Sequence, residues 1–310
     1  QAADTQRDQA QANYERARQA VEQMTQLAEQ ELANAPRMEQ VRRALLEESL
    51  QFYRGFLQER GTDPAVRYEA ARAYRRTGDI RRLLGEQTEA KQAYAQAVAL
   101  LAALTADFPQ VPDYSAELAR SHTKLGRVLR EAGGHGSAEE SFRAAIVMFE
   151  ALEAAYPDVA DYGADLALAR RELGNLFLST GRHREAEQLY RQNIAKLEED
   201  LPAAPYYRHA LACNYHTLAI VLLQTEQPQE GQDAYRTALD MGKRLVDEYP
   251  DVPDFRGTFA LTSSNWANTL RDTGQLKEAE QVCRRSVDIW EALAAEFPSV
   301  PEYPSMAAAS

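Results

Sequence analysis

A short string returns along the chain at nearly fixed spacing, and that recurrence limits the available folds more than any other feature. Phe108-Pro109-Gln110-Val111-Pro112-Asp113-Tyr114 is followed 48 positions later by Tyr156-Pro157-Asp158-Val159-Ala160-Asp161-Tyr162. A weaker copy, Leu201-Pro202-Ala203-Ala204-Pro205-Tyr206-Tyr207, comes after 45 more. Tyr249-Pro250-Asp251-Val252-Pro253-Asp254-Phe255 and Phe297-Pro298-Ser299-Val300-Pro301-Glu302-Tyr303 each follow after another 48. A second landmark, Gly85, Gly133, Gly181, Glu226 and Gly274, keeps the same spacing. Two independent landmarks sharing one period of this length mark a repeat array.

Within one unit, apolar residues recur at helical spacing in two stretches. Between residues 113 and 156 these are Leu118, Leu125, Val128 and Leu129, then Phe142, Ala145, Ile146, Phe149 and Leu152. Gly133-Gly134-His135-Gly136 separates them as a helix breaker. Ser137 with Glu140 has the spacing of a capping box for the second helix. Pro157 ends that helix, and Asp113, Asp161 and Asp254 favour the cap and dipole of the helix that follows. A single such hairpin cannot bury its apolar faces, so stacked hairpins must share one continuous core. The expected fold is all-α, an elongated right-handed α-solenoid. Five hairpins fall at about 64–108, 112–156, 160–201, 205–249 and 253–297. Residues 1–62 read as an atypical N-terminal capping hairpin, interrupted by Pro36 and closed by Gly61-Thr62-Asp63-Pro64. Residues 298–310 read as the truncated start of a further repeat.

Composition removes several function classes. With 47 acidic against 35 basic residues and a formal charge of −12, the chain lacks the cationic surface that general nucleic-acid binding needs. No run approaches the ~18 apolar residues of a membrane span. Two cysteines, Cys213 and Cys283, fit no metal or redox spacing. The chain opens on Gln1 rather than Met, which suggests a processed or excised piece.

The hairpins resemble tetratricopeptide repeats. Leu125-Gly126, Leu129, Ala138, Phe142 and Ala145 match the spacing of that family, as do Leu173-Gly174, Phe177, Ala186 and Tyr190. Leu218-Ala219, Leu222, Gly231, Tyr235 and Ala238 match with small-for-small exchanges, and Ala267, Leu270, Ala279, Cys283 and Ser286 more loosely. Gly78, Ala90, Tyr94 and Ala97 match in the first unit. The period departs from the common form of about 34 residues. This longer form, preceded by the stretches Tyr53–Gly61 and Tyr74–Ile80, resembles the repeat region of planctomycete transmembrane serine/threonine kinases. That resemblance implies a kinase domain and a membrane helix upstream and an extracytoplasmic or cell-surface position. Within these residues there is no Gly-rich phosphate loop, His-Arg-Asp or Asp-Phe-Gly signature, so this region is not expected to be an enzyme.

The resemblance implies a ligand groove on the concave face, lined by the first helix of each hairpin. The candidates are Arg72, Arg75 and Arg82 in the first unit, then Arg120, Arg127 and Arg130 in the second. Arg171 and Asn175 follow in the third, His216 and Ile220 in the fourth, and Asn268 and Arg271 in the fifth. In the first two units six arginines face two acids, Asp79 and Glu131. Guanidinium forks bind carboxylates in bidentate fashion, so an acidic peptide with a few apolar anchors would fit. The alternative is that these arginines pair with acids on neighbouring helices. Arg171 with Asn175 resembles part of the family's carboxylate clamp, although Thr217 and Leu261 stand where amide or basic residues would be needed.

His209, Cys213 and His216 share one helix face and are types that bind zinc. The apolar pattern around them and the lack of a fourth ligand favour ordinary packing, and no metal or cofactor is expected. Trp266 and Trp290 are expected to pack between hairpins. The expected function is a non-catalytic interaction scaffold or sensor module for protein or peptide ligands. The alternative is a structural protein that self-associates through exposed solenoid ends into filaments.

Overall fold

A computed structural model describes residues 16–199 and 204–309. The first 15 residues of the N-terminal capping hairpin, residues 200–203 with the start of the weak linker copy, and Ser310 therefore lie outside the described residues. Thirteen helices and no strand occur among the described residues. Helix α1 covers 16–26 and runs into a π-helical turn at Leu27–Glu31. Helix α2 is Glu39–Arg60. Then come α3 (Pro64–Leu83), α4 (Gln87–Asp107), α5 (Pro112–Glu131) and α6 (His135–Ala155). They are followed by α7 (Ala160–Ser179), α8 (His183–Glu199), α9 (Pro205–Gln224) and α10 (Pro228–Glu248). The last are α11 (Pro253–Asp272), α12 (Leu276–Glu296) and α13 (Glu302–Ala309). Each helix packs on the next, giving the all-α solenoid that the repeats call for.

The turns inside the hairpins explain the glycine landmark. After α3, Gly85 adopts φ +81°. Its N–H donates to the Arg82 carbonyl at 3.0 Å, and the N–H of Glu86 donates to that of Arg81 at 2.8 Å. This is a Schellman closure, which needs a left-handed residue just past the helix. Gly133, Gly181 and Gly274 repeat it with φ of 77–81°. Glu226 takes the same place with φ +60°, where its Cβ is strained.

Two cap assignments need correction. α6 begins at His135 with Gly134 as its N-cap and no side-chain cap, so Ser137 lies inside the helix. The Schellman turn sets the helix start, leaving no place for a Ser137–Glu140 box. Similarly, Val111, Val159 and Val252 hold the N-cap positions. Asp113, Asp161 and Asp254 sit one residue into the first turn, where they favour the dipole only.

The linkers between hairpins are clamped by aromatic pairs six residues apart. Phe108 with Tyr114, Tyr156 with Tyr162, Tyr249 with Phe255 and Phe297 with Tyr303 meet edge to face at 6.0–6.3 Å between ring centres. Proline at the first helical position of α5, α9 and α11 pre-sets the next helix. Inside the first three hairpins, one aromatic ring fills the helix crossing. Tyr94, Phe142 and Tyr190 are fully buried. A Cβ placed on Gly78, Gly126 or Gly174 would come within 2.6–2.7 Å of these rings. Trp266 and Trp290 are also buried, Trp266 against Tyr235 and Trp290 against Tyr303.

The chain is not the elongated stack that the repeats suggest. First helices approach one another directly (α3 with α5, α5 with α7, α7 with α9, α9 with α11), whereas the second helices stand farther apart and meet through long side chains, as Arg191 of α8 does with Glu230 of α10 at 2.7 Å. That difference in spacing bends the stack. The bend brings the ends together. The Arg37 N–H donates to the Glu296 carbonyl at 3.0 Å. Leu83 packs on the C-terminal cluster of Ala260, Trp290, Leu293, Phe297 and Val300. Gly85 lies so near Pro301 that a Cβ would sit 3.1 Å from its Cγ.

Two stability changes follow from these turns and crossings. Glu226→Gly removes about 1–2 kcal/mol of left-handed strain against an unfolded-state entropy cost of about 0.5–1 kcal/mol, so the thermal midpoint rises slightly. Gly126→Ala drives a methyl into the Phe142 ring and costs about 1–3 kcal/mol. Differential scanning calorimetry of both variants beside the wild type checks the two signs.

Candidate ligand groove

The first helices form the inner wall, because they are the ones that approach each other along the stack. Their groove-facing arginines are not independent charges. Arg75 donates through Nε to Glu117 and through Nη1 to Asp79 at 2.9 Å. Arg120 donates through Nε to Asp165 at 2.7 Å and lies 3.6 Å from Glu117. Arg127 donates to Glu131 at 3.2 Å, and Arg82 approaches the same carboxylate at 4.0 Å. Arg130 and Arg171 flank Glu172 at 3.4 and 3.7 Å. The result is a charge ladder that crosses from α3 through α5 to α7.

The acids in this ladder lie deeper than the bases. Glu117 and Glu172 are each 3% exposed. The side chains of Arg75, Arg120, Arg127 and Arg130 keep 17–35% of their surface. Burial pushes the Glu117 and Glu172 carboxyls up, but the surrounding arginines outweigh it and hold both below the usual range. Burial works the same way on Asp79, yet Lys124, Arg75 and a hydrogen bond donated by the Tyr94 hydroxyl hold it at about 2. For Asp165, burial prevails and raises the carboxyl despite Arg120. A recess of about 230 Å³ opens here, lined by Arg75, Arg120, Thr123, Lys124, Phe149, Asp165 and Leu168.

The remaining candidates are placed differently. Arg72 turns to Glu69 on its own helix and stacks over Tyr68. Asn175 accepts from the Tyr190 hydroxyl at 2.8 Å and bonds Glu172, so its amide is engaged within the wall. His216 is buried beside Asn265 of α11, and burial with the nearby Arg171 charge drops its imidazole to about 4. Ile220 is half-buried near the floor. Asn268 and Arg271 are exposed at the far end, Arg271 beside Asp272. The inner wall is thus charged over the first three hairpins and neutral over the fourth.

Glu117, Asp165, Glu172 and Lys124 complete the ladder and were not among the candidates. The signal was local: Glu117 precedes Arg120 by three positions and Glu172 follows Arg171 directly. His209 and Cys213 do meet, at 3.6 Å between Nε2 and Sγ, whereas His216 turns to Asn265. Among the described residues no three His, Cys, Asp or Glu side chains converge as a metal site would need. No described helix is long and apolar enough to cross a membrane.

Known proteins with this geometry share its fold at low identity. The tetratricopeptide repeat model matches residues 260–296, which span most of α11 and all of α12. No curated protein sequence matches the chain. The crystal structure of BtubC (BKLC) from P. vanneervenii superposes with a TM-score of 0.59 at 17% identity, covering 84% of this chain and 94% of that one. The apo form of RapI gives 0.52 at 11%, covering 80% and 91%. A Rap protein complexed with Competence and Sporulation Factor gives 0.50 at 13%, covering 84% and 74%. The chain is a helical-hairpin solenoid whose fifth hairpin is matched by the tetratricopeptide repeat model.

Proposed function

We propose that this region is a non-catalytic scaffold or sensor module whose inner wall binds protein or peptide ligands, acidic side chains first. The observation that carries this reading is the layered charge ladder. Buried carboxylates hold each arginine in place, and the arginine side chains still keep 17–35% of their surface exposed toward the groove. A fork fixed in this way loses little side-chain entropy when a ligand carboxylate arrives. The fold supports the reading as well, since a Rap protein of similar architecture was crystallised with a bound factor. The neutral stretch of His216, Ile220 and Leu223 then takes apolar anchors. The narrower resemblance to kinase-linked repeats supports a role as the extracytoplasmic ligand-reading part of a larger chain.

Self-association through solenoid ends is the less favoured reading, because Leu83, Tyr303 and Met306 already cover part of the C-terminal apolar cluster. The test is fluorescence anisotropy with a labelled Glu- and Leu-rich peptide of about ten residues, at low and high salt. Wild type binds, and Arg120→Glu with Arg127→Glu weakens binding by at least about tenfold, as reversal of two close charge pairs requires. Equal binding by the double variant overturns the acidic-ligand reading. Concentration-dependent fibres in light scattering of the wild type would favour the filament instead.

A further inference from the structure

Three helices bring four polar side chains together beside the charge ladder, with Arg171 common to both. On α9, His209 and Cys213 lie one turn apart, with Nε2 3.6 Å from Sγ. From α11, the Thr258 hydroxyl sits 2.9 Å from the same Nε2 and also hydrogen-bonds the thiol. From α7, the Arg171 charge lies near enough to act on both. The imidazole is walled by the Phe255 ring, 4.9 Å away between ring centres. An apolar core cysteine needs none of these neighbours.

We propose that Cys213 is a reactive thiolate that small hydroperoxides oxidise to a sulfenic acid, with His209 as its ion-pair partner and proton donor. In this step the thiolate sulfur attacks one peroxide oxygen and the O–O bond breaks. An S–OH group forms, and the departing hydroxide takes the imidazolium proton and leaves as water. The sulfur is oxidised by two electrons and the peroxide reduced by two. Hydrogen peroxide is little larger than water, so it can reach a sulfur that is 5% exposed.

The electrostatics agree with the geometry. Burial alone pushes the thiol up, but His209, Arg171 and the Thr258 hydroxyl outweigh it and hold Cys213 at about 7. Burial lowers His209, yet the Cys213 charge, with Asp254 of α11 helping and Arg171 opposing, raises it above its ordinary value. His216, one turn further along α9, is depressed to about 4 and stays neutral. Both shifts favour the thiolate–imidazolium form over the neutral pair, which is the arrangement that activates a cysteine.

Cys283 on α12 lies in other surroundings, beside Ser264, Asn268 and Leu276, and serves as the internal comparison. The full chain is treated with hydrogen peroxide and a dimedone-type trap, and each cysteine is followed by peptide mass spectrometry. Iodoacetamide labelling is measured in parallel from pH 5 to 9. The expected result is a sulfenic adduct on Cys213 ahead of Cys283, with a labelling midpoint near pH 7. His209→Gln moves that midpoint to the ordinary thiol range of about 8.5. That leaves about 15-fold less thiolate at pH 7, partly offset by its greater nucleophilicity, for a net loss of about threefold in rate. Arg171→Gln, which leaves the pair in place, shifts the midpoint upward by less and covers the case where His209→Gln unfolds. Labelling of Cys213 only after denaturation, or a midpoint unmoved in both variants, overturns the proposal.

Discussion

Everything in this solenoid depends on how closely two helices of a hairpin can approach. At Gly78, Gly126 and Gly174 the space a side chain would occupy is taken by the ring of Tyr94, Phe142 or Tyr190. The contact is both a spacer and a lock. It sets the helix crossing, which fixes the direction in which the next hairpin leaves. It also ties the interior to the inner wall, since the Tyr94 and Tyr190 hydroxyls donate to Asp79 and Asn175, each one residue past the glycine. Where the ring is Phe142, the equivalent position carries Arg127, which needs no acceptor role and turns to Glu131. Packing and groove chemistry are therefore written in adjacent residues.

The curvature follows from the same contacts. Close first helices and splayed second helices bend the stack until loop 33–38 reaches the end of α12. Arg37 accepts a left-handed backbone, φ +63°, at the point where its N–H meets the Glu296 carbonyl. Arg42 steadies the loop from within by donating to the Ala28 and Ala33 carbonyls. The junction is slight beside the seams between neighbouring hairpins: Leu83 at the end of α3 packs on the C-terminal cluster, and the Arg37 N–H meets the Glu296 carbonyl.

Local periodicity made the helices legible, and the glycine landmark made the turns legible, because a left-handed residue past a helix end has few substitutes. Glu226 marks the limit of that logic: spacing identifies the position even though the residue type does not fit it. The closure was not legible, because it arises from small angles added over many hairpins. The pairing of the inner-wall arginines was only half legible. Counting Arg120, Arg127 and Arg130 against nearby acids on the same face missed Glu117 and Glu172, which point inward from positions that read as helix flank. Capping was misjudged at Ser137 for a similar reason, since a backbone turn outranked a side-chain pattern.

The acidity of the chain and the arginines of its inner wall are parts of one arrangement. A bare row of guanidinium groups on a curved wall would repel itself, more strongly as curvature brings the rows together. Carboxylates placed behind the row remove that repulsion and orient each fork. They do so at a desolvation cost that only close pairing offsets. The surface layer then remains arginine while the wall as a whole is close to neutral. Such a wall discriminates by geometry more than by total charge: a ligand carboxylate must meet the exposed part of a fork to displace water. A polyanion without that geometry gains little, which fits a scaffold that selects one ligand in the presence of many anions.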